Sequence, residues 1–112
     1  MAMTLAGTIA AVLTPLDDSL QPDFGEHLAH CRRLLEQGCD GLSPLGTSGE
    51  SMSFSIAERK AILEALLKGG LSPDILLPGT GAASYADTIE LTRHALSVGV
   101  TSVLMLPPFY YK

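Results

Sequence analysis

No run of lysine or arginine occurs in this sequence. Seven basic residues face twelve acidic ones, a net charge of −5, so a nucleic-acid surface is not expected. The single basic pair, Arg32-Arg33, falls within a predicted helix and reads as a solvated face. No apolar stretch is long enough to cross a bilayer, and no membrane partner is expected. The apolar N-terminus, Met1 to Leu13, lacks a basic leader region and is interrupted by Thr4, Gly7 and Thr8, so a first strand explains it better than a signal peptide. Two cysteines, Cys31 and Cys39, stand outside any CxxC pattern; reduced thiols in a cytoplasmic protein are the expectation. There is no Walker-type lysine and no GxGxxG, and no linker or low-complexity segment divides residues 1–112, which read as one domain.

What is present is an alternation of short apolar runs and longer stretches of helical period. Ile9–Leu13, Leu42–Leu45, Ile75–Leu77 and Val100–Leu106 read as strands, the first a continuous apolar run typical of a strand buried on both faces. Between them, Phe24, Leu28, Cys31, Leu34 and Leu35 recur at helical spacing and Gly38 stops that helix. Ser55-Ile56-Ala57-Glu58 forms a capping box for a second helix that buries Ile56, Leu63, Leu66 and Leu67 and ends at Gly69-Gly70. Ser84–Asp87 is the N-cap region of a third helix carrying Ile89, Leu91, Ala95, Leu96 and Val98, stopped by Gly99. The β-α-β-α-β-α-β order predicts an α/β fold of right-handed parallel crossovers. Pro44 and Pro78 conflict with central strands, which need every N–H; they mark strand ends or a bulge.

The pentapeptide Gly46-Thr47-Ser48-Gly49-Glu50 follows the second strand and precedes a helix. Open α/β sheets and βα-barrels bind ligands at that end of the strands. Adjacent hydroxyls and free backbone N–H groups there suit a small carboxylate, with a hydroxyl able to pass a proton. The competing reading is a glycine-rich βα loop without a ligand. Glu50 has two readings, a general base or an acidic residue favoured near a helix start, and the second is preferred.

Together with Thr8–Pro15 (TIAAVLTP), Gly79-Thr80-Gly81-Ala82 and the closing Pro107-Pro108-Phe109-Tyr110-Tyr111-Lys112, this loop resembles the dihydrodipicolinate synthase / N-acetylneuraminate lyase family over nearly the whole chain. The resemblance implies parallel βα units forming the first half, strands one to four, of a TIM (β/α)8 barrel. A small open doubly wound sheet is the alternative. The implied activity is that of a class I pyruvate-dependent aldolase. A lysine amine forms a Schiff base with pyruvate or another 2-oxo acid, and a carbon–carbon bond forms or breaks. No metal and no organic cofactor are implied. Thr47 matches the hydroxyl that relays protons between two tyrosines, and Ser48 the hydroxyl that holds the substrate carboxylate with the loop amides. Tyr110 matches a relay tyrosine that, in synthase members, reaches the neighbouring subunit's site. The catalytic candidates are therefore Thr47 and Tyr110, and the substrate-binding candidates Thr47 and Ser48. Tyr110 alternatively packs at a subunit contact. Phe109 and Tyr111 read as packing residues.

The family's Schiff-base lysine lies at the end of the sixth strand, beyond residue 112. Of the lysines present, Lys60 and Lys68 fall on the second helix and Lys112 matches no catalytic position. The chain is accordingly expected to be truncated after strand four and inactive alone. Half a barrel exposes two apolar edges, so a homo-oligomer or pairing with a complementary half barrel is expected. The alternative function is a non-catalytic half-barrel module that binds a 2-oxo acid or another chain. His27, His30 and Cys31 share a helix face, but a partly buried helix explains them better than a metal site, and the same holds for His94.

Overall fold

The structure, a computed structural model, describes residues 7–46 and 49–105. Strand β1 (Ile9–Ala11) is followed by helix α1 (Phe24–Glu36), strand β2 (Gly41–Ser43), helix α2 (Ile56–Lys68) and helix α3 (Tyr85–Ser97), with short 3-10 turns at Ser51–Ser53 and Pro73–Ile75. The strands β1 and β2 pair in parallel, Ala10 opposite Leu42. The segment after Pro73–Ile75 lies parallel to β2 through Leu42 and Leu76, and the segment after α3 lies parallel to it through Gly79 and Leu104. These are parallel βα units in sequential order, as the first half of a (β/α)8 barrel requires.

Each helix is punctuated the same way. The side chains of Asp23, Ser55 and Ser84 accept from the N–H groups of Glu26, Glu58 and Asp87, and the capping box of Ser55 with Glu58 is complete. Each helix ends in a left-handed glycine: Gly38, Gly70 and Gly99 have φ near 100°. The N–H beyond each glycine reaches back five residues, Cys39 to Leu34, Leu71 to Leu66 and Val100 to Ala95. This is the Schellman arrangement, which only a residue tolerating positive φ allows cheaply.

The core lies between the sheet and the helices and is built from Val12, Cys31, Leu42, Leu66, Leu76, Ala95 and Val100, among others. On the opposite sheet face Leu13 is 60% exposed and Leu104 38% exposed, because nothing among the described residues covers them. Three apolar residues read as helix-core positions are also exposed: Phe24, Ile89 and Leu96. Their spacing is helical, but the described residues bring no neighbour against them. Conversely, the buried Ile62 and Arg59 of α2 were not in the periodic pattern.

The third and fourth strands shrink to single bridges, and the prolines explain how. The Pro44 carbonyl accepts from Gly79 N–H at 2.9 Å, and the Pro78 carbonyl from Leu104 N–H at 2.9 Å. Both prolines therefore sit inside the parallel register, each missing one donor. In that register the absent Pro44 N–H would have served the Leu77 carbonyl. The Ser43 hydroxyl donates to that carbonyl instead, at 2.8 Å. Ser43→Ala leaves the carbonyl without a donor and is expected to cost about 1–2 kcal/mol by urea denaturation. In a Pro44→Val background, which returns the N–H, the same substitution should cost near zero. Equal costs in both backgrounds would contradict this account.

Candidate functional site

The Gly46–Glu50 loop leaves the end of β2 through two non-glycine residues in the left-handed region, Leu45 at φ 61° and Glu50 at φ 56°. Such residues cost of order 1–2 kcal/mol each and persist only where their surroundings enforce them. Leu45 is enforced: it is buried, and Gly79 lies so close that a Cβ there would stand 2.1 Å from the Leu45 carbonyl oxygen. The loop is closed at its base by Ser51 N–H donating to the Gly46 carbonyl, at 3.3 Å. Its second limb is tied to the end of β1 by the Thr14 hydroxyl, which donates to the Gly49 carbonyl at 2.7 Å. Glu50 is exposed and stands at the N-cap of the following 3-10 turn without a side-chain cap bond, the place of an acidic residue near a helix start and not of a buried base.

Beside this loop runs Gly79-Thr80-Gly81, held from behind by a buried arginine. Arg59 is 2% exposed and donates from its two terminal nitrogens to the carbonyls of Gly81 (2.9 Å) and Gly79 (3.0 Å). Its Nε has no partner among the described residues. Burial pulls the Arg59 guanidinium below its ordinary pKa, and the charge of Asp87 opposes that; the residue remains a cation at any ordinary pH. The buried Thr80 hydroxyl lies 2.9 Å from Thr92 Oγ1, which is 2.8 Å from the Thr88 carbonyl. Thr92 has one proton, so it serves that carbonyl and accepts from Thr80. The Ala82 N–H donates to Thr88 Oγ1 at 3.0 Å. The strand-end wall is thus fixed by side chains of α2 and α3.

The three site residues read from sequence, Thr47, Ser48 and Tyr110, lie outside the described residues. What the structure brings together is their frame: Leu45, Gly46, Gly49 and Glu50 against Thr14 and Gly79, at one end of the sheet. Sequence reasoning missed Thr14, Ser43, Arg59 and Thr92. A serine directly before a strand proline was a readable signal for Ser43. Arg59 gave none, since its target carbonyls lie twenty residues away.

The lysines among the described residues stay in the helical layer. Lys60 Nζ lies 3.6 Å from Glu90 Oε2, a solvent-accessible pair of little energetic weight in which Lys60 is half-buried, and Lys68 is the last residue of α2. His27 and Cys31 are buried, and burial raises the Cys31 thiol to about 11. His94 Nε2 is 3.2 Å from Glu64. No group of three or more His, Cys, Asp or Glu among the described residues is placed to hold a metal.

A family model described as the dihydrodipicolinate synthetase family matches residues 4–112. An uncharacterized DapA-like lyase from Chloroflexus aurantiacus is 42% identical over 109 residues, covering 95% of this chain and 36% of that protein. The crystal structure of dihydrodipicolinate synthase from Agrobacterium tumefaciens superposes with a TM-score of 0.90 at 35% identity, over 95% of this chain and 37% of that one. YagE, a prophage protein of E. coli K12 solved in complex with pyruvate, gives a TM-score of 0.86 at 33% identity, over 95% of this chain and 36% of that one. The parallel βα units matched over this span by these lyase- and synthase-named relatives are those of a half barrel. The chain belongs to the dihydrodipicolinate synthetase family. It spans about a third of the length of the relatives it matches.

Proposed function

We propose that these residues supply the carboxylate-binding part of a pyruvate-dependent lyase or synthase. The observation that carries this reading is the Gly46–Glu50 loop, held between two left-handed residues at the ligand-binding end of the strands in a chain of this family. In this reading the loop amides and Ser48 hold the carboxylate of pyruvate or another 2-oxo acid, and Thr47 passes protons to Tyr110. The nucleophilic lysine is none of Lys60, Lys68 and Lys112. It is supplied by the remainder of a full barrel: its amine attacks the ketone carbon, water leaves, and the resulting imine accepts the electron pair of the breaking carbon–carbon bond. These residues alone form one βα domain without aldolase activity.

The exposed sheet face at Leu13 and Leu104 supports a partner, either the complementary half of a barrel or a second copy. Among the described residues no helix is long and apolar enough to cross a membrane, and the cytoplasm is the proposed location.

Amide chemical shifts of the isotopically labelled chain test the loop assignment. Added pyruvate should move the resonances of Gly46–Ser51, and inorganic phosphate at the same concentration should not. Shifts with phosphate alone would replace this reading with a phosphate site.

A further inference from the structure

We infer that Thr14 is a positioning residue for the Gly46–Glu50 loop; its effect on ligand binding rests on the pyruvate reading above. Thr14 is 7% exposed, and its only proton is committed to the Gly49 carbonyl, at 2.7 Å. The two residues are thirty-five apart in sequence, so the bond ties the end of β1 to the far limb of the loop. Gly49 is seated flush on the ends of both strands: a Cβ there would lie 2.8 Å from the Val12 carbonyl oxygen, 3.1 Å from the Leu45 nitrogen and 3.1 Å from Thr14 Oγ1. The absence of a side chain at Gly49 is what lets the hydroxyl reach the carbonyl.

The next residue, Glu50, is exposed and left-handed, a conformation its own chemistry disfavours. Thr14 anchors the Gly49 carbonyl on one side of Glu50, and the Gly46 carbonyl anchors the Ser51 N–H on the other. The planar peptides flanking Glu50 are each tied down, and together they hold its left-handed conformation. Apart from the Thr14 bond, the long contact between Ser51 and Gly46 closes the loop among the described residues. A loop ordered before the ligand arrives binds more tightly than one that must be ordered by it. The hydroxyl of Thr14 thus acts on affinity through the loop, without touching the ligand.

Amide hydrogen exchange read residue by residue, with pyruvate affinity measured in parallel, tests this in the full chain. Thr14→Val keeps the shape and removes the donor. It should speed exchange at Glu50 and Ser51 about tenfold and weaken pyruvate binding by a similar factor, leaving exchange of the α2 core amides unchanged. Thr14→Ser should restore both. Gly49→Ala, which lifts the loop off the Val12 carbonyl with Thr14 intact, should reproduce the local exchange of Thr14→Val. Unchanged exchange at Glu50 and Ser51 in Thr14→Val overturns the inference. So does uniformly faster exchange across all helices, which would make Thr14 a general stabiliser. Local loosening in a chain that shows no pyruvate binding would support the latch and overturn the pyruvate reading.

Discussion

Gly79→Ala is expected to abolish folding. The added methyl would stand 2.1 Å from the carbonyl oxygen of Leu45 and 2.8 Å from its carbonyl carbon. Both are backbone atoms, so no side-chain rotation relieves the clash. Neither side can retreat. Gly79 N–H donates to the Pro44 carbonyl at 2.9 Å, its own carbonyl accepts from Arg59, and Leu45 is buried and already left-handed. Overpacking a rigid site costs about 1–3 kcal/mol or more, and breaking the Pro44 and Arg59 bonds adds to that. The sum is comparable with the whole stability of a small domain. Gly25→Ala is the matched control. Its Cβ would meet only an Asp23 oxygen, at 3.7 Å, inside the first turn of α1, so it should stabilise by up to about 1 kcal/mol. Circular dichroism with urea titration separates the two. A cooperatively folded Gly79→Ala chain of unchanged midpoint would show that strand three does not pack against the Leu45 turn as described.

The second large effect is an acid instability centred on His27. This imidazole is 1% exposed and its Nε2 lacks a hydrogen-bond partner among the described residues. Burial, with a smaller contribution from the charge of His30, lowers its pKa from 6.5 to about 4. Between those values the unfolded chain binds a proton that the folded chain refuses, so acid favours unfolding. The contribution of His27 is fully present above pH 6.5 and is lost as pH falls toward 4. Its size is on the order of 3 kcal/mol. The urea midpoint should therefore drop steeply between pH 7.5 and 4.5, and His27→Gln, which has no proton to gain, should flatten that dependence. An equally steep dependence in His27→Gln would assign the acid lability to other groups.

These two residues mark how far the sequence is legible. The helix boundaries were readable because capping is local: Asp23, Ser55 and Ser84 sit three residues before the N–H groups they cap, and Gly38, Gly70 and Gly99 stop the helices by backbone conformation alone. The sequential parallel order was readable from the repeat of strand and helix. Burial was less so, since period shows which residues share a face and not whether anything covers it. Leu91 and Ala95 are covered, whereas Ile89 and Leu96 of the same helix are exposed. The strand ends were obscured by Pro44 and Pro78, whose missing N–H groups reduce the ladder to bridges.

The site was legible as a loop and illegible as a framework. Gly46–Glu50 stands out because glycine and hydroxyl residues cluster after an apolar run. The partners that fix its frame come from the segment after β1, from α2 and from the third strand: Thr14, Arg59 and Gly79 make their contacts across twenty to thirty-five residues. No local pattern encodes such distances. Thr47, Ser48 and Tyr110 lie outside the described residues, so the roles proposed for them come from the resemblance to the family.

The most direct test of the central claim is intact-mass spectrometry of the protein purified from its source, after incubation with pyruvate and borohydride. If these residues belong to a working pyruvate-dependent lyase, the source protein has barrel length, roughly 250 residues or more, and gains the mass of one reduced pyruvate per chain. The adduct would map to a lysine other than Lys60, Lys68 and Lys112. A protein of 11.8 kDa that acquires the adduct on one of those three lysines would contradict the assignment of the nucleophile. A barrel-length protein with no adduct would contradict the Schiff-base reading itself.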